Sequence, residues 1–254
     1  MSLKGRRVLV TGASRGIGAA IARAVAEAGG RPVIHYGRGR DEAQALAREL
    51  NVSEGDVVQA DLERPGAGAT LFASSAPDAL VNNAGVYEPS PLGASDDAWS
   101  AAWARTLAVN LQATADLCRA AVLSWTSGDP HGEAAGVVVN IASRAGQRGD
   151  GPDHAAYAAS KGGVLALTRT LARAHAGDGV RFYAIAPGWV ATRMAERHAD
   201  EAASARTAAQ ADTVPLGRFA APEEVAALTV FLLSDACPSA TGATFDVNGA
   251  SYVR

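Results

Sequence analysis

Short apolar runs alternate with alanine-rich stretches of helical composition along the chain. Arg7-Val8-Leu9-Val10 is the first such run, and it stops at a turn carrying Gly12, Gly16 and Gly18. Residues 19–28 then predict a helix that Gly29-Gly30 closes. Pro32-Val33-Ile34-His35-Tyr36 predicts a second strand, residues 41–50 a second helix, and Val57-Val58-Gln59-Ala60 a third strand ending at Asp61-Leu62. A Pro/Gly/Ala-rich passage over residues 65–76 predicts a short or frayed helix, and Ala79-Leu80-Val81 a fourth strand running into Asn82-Asn83-Ala84-Gly85. Residues 96–125 read as one long helix, with Trp99, Trp103, Leu107, Leu111 and Leu117 at helical spacing as core or interface positions. After a surface loop at Gly128-Asp129-Pro130-His131-Gly132, Gly136-Val137-Val138-Val139-Asn140-Ile141 is the clearest buried strand. A loop over residues 144–153 leads into a helix from Ala155 through about Ala176. Residues 179–186 form another strand, halted by Pro187-Gly188. Residues 192–212 are Ala/Arg/Glu-rich and helical, residues 222–233 form a helix opening on a proline, and residues 243–247 are a last strand.

Strand and helix thus alternate without linker, repeat or low-complexity block. Strongly apolar strands of about five residues argue for a parallel sheet covered on both faces. The expected architecture is a single α/β domain over residues 1–254, a doubly wound (Rossmann-type) parallel sheet of about seven strands with helices on both faces. The 254 residues suffice for a substantial core, and 48% hydrophobic with 19% charged content excludes a disordered or fibrous chain. A net charge of −3 gives no electrostatic reason to expect nucleic acid or an anionic membrane as partner. No apolar run approaches the roughly 20 residues of a membrane span. The opening Met1-Ser2-Leu3-Lys4-Gly5-Arg6-Arg7 lacks a secretory pattern, so a cytoplasmic location is expected. Cys118 and Cys237 lie far apart and are expected to be buried free thiols. The five histidines are scattered without ligand spacing, so no metal site is expected.

The glycine turn between strand and helix is the first candidate site. Glycines let the backbone turn tightly and approach a ligand, and a helix N-terminus offers free N–H groups to a phosphate. A plain strand–helix turn also uses glycine, but three of them in this context favour a dinucleotide site. Their spacing is G-x-x-x-G-x-G rather than G-x-G-x-x-G. In such folds an acid near the end of the second strand holds the ribose 2′-hydroxyl of NAD. Here that place reads Tyr36-Gly37-Arg38-Gly39-Arg40, with no acid before Asp41, while Arg15 and Arg38 are placed to meet a 2′-phosphate. NADP(H) is therefore the expected cofactor, with NAD(H) as the alternative. Asn83 falls where a strand end should line the cofactor crevice, and Asn110 is an amide within an apolar run that needs partners if buried.

Tyr157 and Lys161 share one helical face one turn apart. A tyrosine titrates at about 10 and a lysine at about 10.4. An ammonium held beside the phenol favours phenolate, so Lys161 is expected to lower the pKa of Tyr157 and make it usable for proton transfer. Tyr-x-x-x-Lys is a common pairing by chance, so its weight comes from what surrounds it.

Thr11-Gly12-Ala13-Ser14-Arg15-Gly16-Ile17-Gly18, Asp61-Leu62, Asn82-Asn83-Ala84-Gly85, Asn110, Ser143, Tyr157 with Lys161, and Pro187-Gly188 with Thr192 occur in one order along the chain. In that order and spacing the chain resembles the short-chain dehydrogenase/reductase family over essentially its whole length. The resemblance implies an enzyme that moves a hydride between a nicotinamide cofactor and a carbonyl or secondary alcohol. It implies Tyr157 as general acid/base, Ser143 holding the substrate oxygen, Lys161 holding the nicotinamide ribose while acidifying Tyr157, and Asn110 anchoring a water that links Lys161 to solvent. Gly12, Ser14, Arg15, Gly16, Ile17 and Gly18 would bind the phosphates, Asp61 and Leu62 the adenine edge, and Asn83, Val190 and Thr192 the nicotinamide side, with Arg38 at the 2′-phosphate.

The glycine turn and the ending Phe245-Asp246-Val247-Asn248-Gly249-Ala250 are most similar to β-ketoacyl-acyl-carrier-protein reductases and their relatives. That branch also holds sugar, steroid, polyketide and quinone reductases, so a small-molecule or acyl-thioester carbonyl substrate is as far as the resemblance reaches. Residues 189–215 would cover the substrate. A homo-oligomer, tetramer or dimer, is implied, packing the Tyr157 and Asn110 helices between subunits. The loop from Arg144 to Gly151 is charged, and either contacts an anionic carrier or polar substrate or faces solvent. The competing readings are an NAD-dependent dehydrogenase on the same fold and a non-catalytic dinucleotide sensor.

Overall fold

Alternate residues of a strand point to opposite faces, and in this sheet both directions are apolar. The computed structural model describes residues 1–127, 136–192 and 211–253. Its strands are β1 (Arg7–Val10), β2 (Arg31–Tyr36), β3 (Val57–Gln59), β4 (Ala79–Asn82), β5 (Gly136–Ile141), β6 (Val180–Pro187) and β7 (Thr244–Val247). The helices are α1 (Gly16–Glu27), α2 (Arg40–Glu49), α3 (Ala67–Ser75), α4 (Asp96–Leu107), α5 (Ala113–Trp125), α6 (Ala145–Arg148), α7 (Ala155–His175) and, numbered among those described, α8 (Pro222–Leu233). Val8, Val10, Val81, Val139 and Ile185 join one core with α1, α2 and α8. Leu9, Leu80, Val138 and Phe182 join the other with α3, α5 and α7. Burying one such aliphatic side chain stabilises by about 1.5–3 kcal/mol, so a sheet filled on both faces is the favoured arrangement for these runs.

All strands are parallel, in the order β3-β2-β1-β4-β5-β6-β7. The expected seven-stranded, doubly wound fold is what the chain adopts. After β3 the chain returns to the far side of β1, so the order reverses between β1 and β4. Loops leaving the carboxyl ends of these two strands diverge there, which opens a crevice. Among the described residues no helix is long and apolar enough to cross a membrane.

Four expectations change. The first helix begins at Gly16, inside the glycine turn, not at residue 19. The long helix over residues 96–125 is broken by a π-helical turn, Ala108–Gln112, centred on Asn110. Such a turn inserts one residue into the ladder. The Asn110 amide is pinned from both sides, by Val86 and by Ser160, and the wider turn accommodates that anchorage. The loop over residues 144–153 contains α6 and a 3₁₀ turn, Pro152–His154. Of the two thiols Cys118 is buried, but Cys237 is exposed. The loop at residues 128–132 and most of the helical segment over residues 192–212 lie outside the described residues.

Candidate active site

The glycine turn is held by backbone contacts that exclude side chains. Gly12 and Gly16 have positive φ, 64° and 57°. A Cβ on Gly18 would strike the Gly12 carbonyl oxygen and stand 2.6 Å from Asn83 Nδ2. The Thr11 hydroxyl accepts from the backbone N–H groups of Asn83 and Ala84, at 2.9 and 3.0 Å, and Asn83 Nδ2 donates to the Thr11 and Gly12 carbonyls at 2.9 and 3.2 Å. The end of β4 is thus tied to the turn. Arg15 precedes α1 in extended conformation without a side-chain cap, and no acid lies in the first turn. The first N–H groups of α1 keep their positive end free for a phosphate. These features fit a dinucleotide pyrophosphate.

Other predicted residues converge on this turn. Thr192 Cγ2 stands 3.4 Å from where a Cβ on Gly16 would be, so the chain after β6 passes over the turn. Val190 is buried in a parallel bridge with Ala220. Ser14 Oγ lies 3.3 Å from the Cβ position of Gly39, bringing turn and β2 loop together. Arg15 and Arg38 are exposed at this junction, and Ile17 is half-buried against the first core. Leu62 is buried in the second core. Asp61 is exposed, accepting from the Glu63 N–H at 3.2 Å and pairing with Arg64 at 3.6 Å.

His35, counted in the sequence only as one scattered histidine, sits under this junction and is 1% exposed. Its Nδ1 lies 3.1 Å from the Gly12 N and its Nε2 3.1 Å from the Ala60 carbonyl oxygen. A backbone N–H only donates and a carbonyl only accepts, so the ring is neutral with its proton on Nε2. Burial pushes its pKa down to about 4, partly opposed by the Ala60 bond. The depressed value means the unfolded chain takes up a proton first. The stability this group contributes is complete above about pH 6.5 and is lost progressively as pH falls toward about 4. By pH 5 the loss specific to His35 should reach about 2 kcal/mol. Urea unfolding of the wild type and His35→Asn at pH 7 and pH 5 measures it; parallel losses in the two proteins would refute the assignment.

Ser143 follows β5, and Tyr157 and Lys161 lie on α7. The Tyr157 phenol is within hydrogen-bonding reach of the Ser143 hydroxyl. Lys161 Nζ donates to the Ile141 carbonyl at 2.8 Å and stands 5.8 Å from the Tyr157 ring centre. Gly146 packs α6 backbone to backbone on α7: a Cβ there would stand 2.5 Å from the Lys161 carbonyl carbon and 2.6 Å from the Gly162 N. Asn110 Oδ1 accepts from the Val86 N–H at 2.8 Å, and its Nδ2 donates to the Val86 carbonyl at 3.0 Å and to Ser160 Oγ at 3.1 Å. Ser160 in turn donates to the Tyr157 carbonyl at 2.7 Å. A Cβ on Gly85 would stand 3.2 Å from Asn110 Oδ1 and 3.7 Å from Lys161 Nζ. Four residues named from the sequence therefore meet in one place.

The electrostatics differ from expectation. Burial pushes Tyr157 up to about 12; the bond with Ser143 offsets part of this, and Asp150 adds to it. Burial also pulls Lys161 down to about 8. Desolvation disfavours both charged forms, and the ammonium is directed at the Ile141 carbonyl. The expected acidification of Tyr157 by Lys161 is overturned in this geometry; Ser143 is the group that favours phenolate.

Neighbours that sequence reasoning missed frame the phenol. Tyr87 meets Tyr157 edge-on at 4.8 Å and stacks on His154 at 4.0 Å. Burial is the main cause that raises the pKa of Tyr87, and the nearby Asp150 carboxylate adds to it. Behind β5, Asn82 Nδ2 donates to Asn140 Oδ1 at 2.8 Å and Asn140 Nδ2 to Thr168 Oγ1 at 2.9 Å, joining two strands to α7. Arg144, in the loop expected to contact a ligand or face solvent, is buried. Among the described residues no group of three His, Cys, Asp or Glu could hold a metal ion.

A doubly wound sheet with a glycine turn at its point of reversal and a serine–tyrosine–lysine cluster beside it defines a nucleotide-dependent α/β oxidoreductase. Comparison with known proteins agrees. The model of a family described as enoyl-(acyl carrier protein) reductase matches residues 12–250. A 3beta-hydroxysteroid dehydrogenase 1 of Eggerthella lenta is 37% identical, over 97% of this chain and 94% of its own. A D-threitol dehydrogenase of Mycolicibacterium smegmatis is 36% identical over 99% and 95%. A 3-oxoacyl-acyl-carrier-protein reductase of Synechocystis is 35% identical over 98% and 97%. The chain belongs to the short-chain dehydrogenase/reductase family. It is an oxidoreductase acting between CH–OH and C=O groups with NAD(P)(H).

Proposed function

We propose that the protein is an NADP(H)-preferring carbonyl reductase with Tyr157 as its general acid/base. The observation that carries this reading is the Ser143 hydroxyl in reach of the Tyr157 phenol, with Lys161 on the same helix. A substrate oxygen placed between Ser143 and Tyr157 receives two O–H donors, which stabilise the charge that develops there. Bound in the crevice, a nicotinamide dinucleotide supplies the hydride. Tyr157 gives its proton to the oxygen while Ser143 holds it. A phenol at about 12 is protonated at neutral pH, which favours the reducing direction. Lys161 holds the ribose and, at about 8, exchanges protons near neutrality to refill Tyr157. The Asn110 side-chain amide is occupied by Val86 and Ser160, so the anchor for a relaying water is the Asn110 main-chain carbonyl oxygen, which also accepts from the Thr114 hydroxyl at 3.0 Å.

Arg15 and Arg38, exposed where turn and β2 loop meet, support NADP(H). One observation favours NAD(H): Glu42 Oε2 lies 3.0 Å from the Cβ position of Gly39, a carboxylate at the same loop. Arg38→Ala should lower kcat/KM for NADPH roughly tenfold and leave NADH little changed. An NADPH preference that survives the substitution removes Arg38 from the cofactor site. Residues 189–215 cover the substrate in this reading. A homo-oligomer, tetramer or dimer, is supported by half-buried Trp99 and Trp103 on α4 and exposed Leu123 on α5. A cytoplasmic location goes with it. The relatives' names span a steroid, a polyol and an acyl thioester, so ketones, acyl thioesters and quinones screened with NADPH test the reading directly; no oxidation of NADPH by any of them would defeat it.

A further inference from the structure

Arg144 directly follows Ser143 and is 7% exposed. One guanidinium nitrogen donates to the Ser251 hydroxyl, and the Trp189 ring centre lies 5.5 Å from the guanidinium carbon. Asp150 and Tyr87 act on the cation through space, and desolvation by burial lowers its pKa. Neither residue is its hydrogen-bond or ion-pair partner. A guanidinium carries five N–H donors in one plane, and a cation withdrawn from water ordinarily has an anion against it. Ser251 uses only part of that set. None of the Arg144 nitrogens is among the enclosed atoms stranded without a partner among the described residues, so its unused donors keep exposed surface.

Tyr87 connects this surface to the reacting groups, lying within electrostatic range of Arg144 and against Tyr157. Ser143 precedes Arg144, Tyr87 meets the Tyr157 ring edge-on at 4.8 Å, and Trp189 leads into Val190 and Thr192. Tyr87 with its stacked partner His154 offers an aromatic wall beside the phenol. The guanidinium lies among the carboxyl-end loops of the sheet, with the Trp189 ring against it.

We infer that Arg144 receives a carboxylate carried by the substrate, so that the substrates are keto and hydroxy acids rather than uncharged ketones. The carboxylate accepts parallel N–H bonds from the guanidinium fork while the carbonyl lies between Ser143 and Tyr157. The inference rests on the reductase reading above and narrows it.

Two pairs of probes test it: levulinate with levulinamide, and 4-oxocyclohexanecarboxylate with its amide. Calorimetric titration of the full chain with cofactor should show each acid binding roughly 10- to 100-fold more tightly than its amide. Arg144→Met should bring the pair to parity, and Arg144→Lys should restore part of the difference. The ratio of kcat/KM values should move in the same way. Acid and amide bound equally by the wild type would overturn the inference, as would equal weakening of both by Arg144→Met. The wild-type comparison decides even if the methionine variant does not fold. Selective binding of the acids without reduction would keep the carboxylate site and sink the reductase reading. Reduction of amide and acid at equal efficiency would do the reverse.

Discussion

Tyr157→Phe is expected to retain dinucleotide binding while turnover falls by roughly 10²- to 10⁴-fold. The substitution removes one oxygen and leaves the ring, so the edge-on contact with Tyr87 and the packing of α7 persist. What disappears is one of the two O–H donors that the proposed mechanism assigns to the substrate oxygen, the other being Ser143. Ser143 alone still donates a hydrogen bond, which sets a residual rate rather than zero. The loss should therefore appear in kcat, with the cofactor dissociation constant, read by fluorescence titration, little altered. Single-turnover reduction at saturating NADPH isolates the chemical step. A phenylalanine variant turning over at the wild-type rate would end the acid/base assignment.

Lys161→Met is expected to move stability and activity in opposite directions. Lys161 is 5% exposed, and its ammonium has the Ile141 carbonyl at 2.8 Å as partner. Burial holds its pKa at about 8, below the value of the unfolded chain. A depressed lysine costs stability in full below about pH 8, and the cost shrinks as pH rises toward about 10.5. At pH 7 it amounts to about 3 kcal/mol. Methionine fills similar volume without a charge, but leaves the Ile141 carbonyl unpaired at about 1–3 kcal/mol. The net gain is about 1 kcal/mol, a rise of about 2–4 °C in Tm for a chain of this size. Activity should fall at least roughly 100-fold, since ribose anchoring and the proton relay both go. Thermal melts at pH 7 and pH 9.5 with steady-state kinetics check this. A variant less stable than wild type at pH 7 would contradict the view of Lys161 as a strained cation.

Much of this was legible in the residues because it rests on short-range rules. The β5 strand is bounded as its apolar run is, and α8 starts at its proline, where Glu224 also accepts from the Ala221 N–H at 2.7 Å. The glycine turn and the Tyr157–Lys161 pair were legible because their types and spacing carry the chemistry, whereas Ser143 came from the family resemblance alone. The π turn was not, since one inserted residue leaves composition and approximate period intact. Four residues, Ala145–Arg148, are too few to show a helical period. Tyr87 and His154 meet only because the topology brings the β4 loop to the start of α7. His35 did leave a signal, a titratable ring inside an apolar strand, which demands partners on both nitrogens. The direction of the Tyr157 shift was missed because spacing on a helix face says nothing about desolvation, and desolvation decided it.

The contact of Gly146 with the α7 backbone sets where substrate range can be re-engineered. Gly146 lies directly against the backbone of the helix carrying Tyr157 and Lys161, so a bulkier residue there would throw the reacting atoms out of register. Gly149 and Gly151 both meet nothing within 4 Å of an added Cβ, but the φ of 84° at Gly149 holds that position to glycine, whereas Gly151 has φ −58°. Substitutions aimed at new ketones belong at Gly151, where a side chain fits without strain and the backbone that positions Tyr157 and Lys161 is not touched.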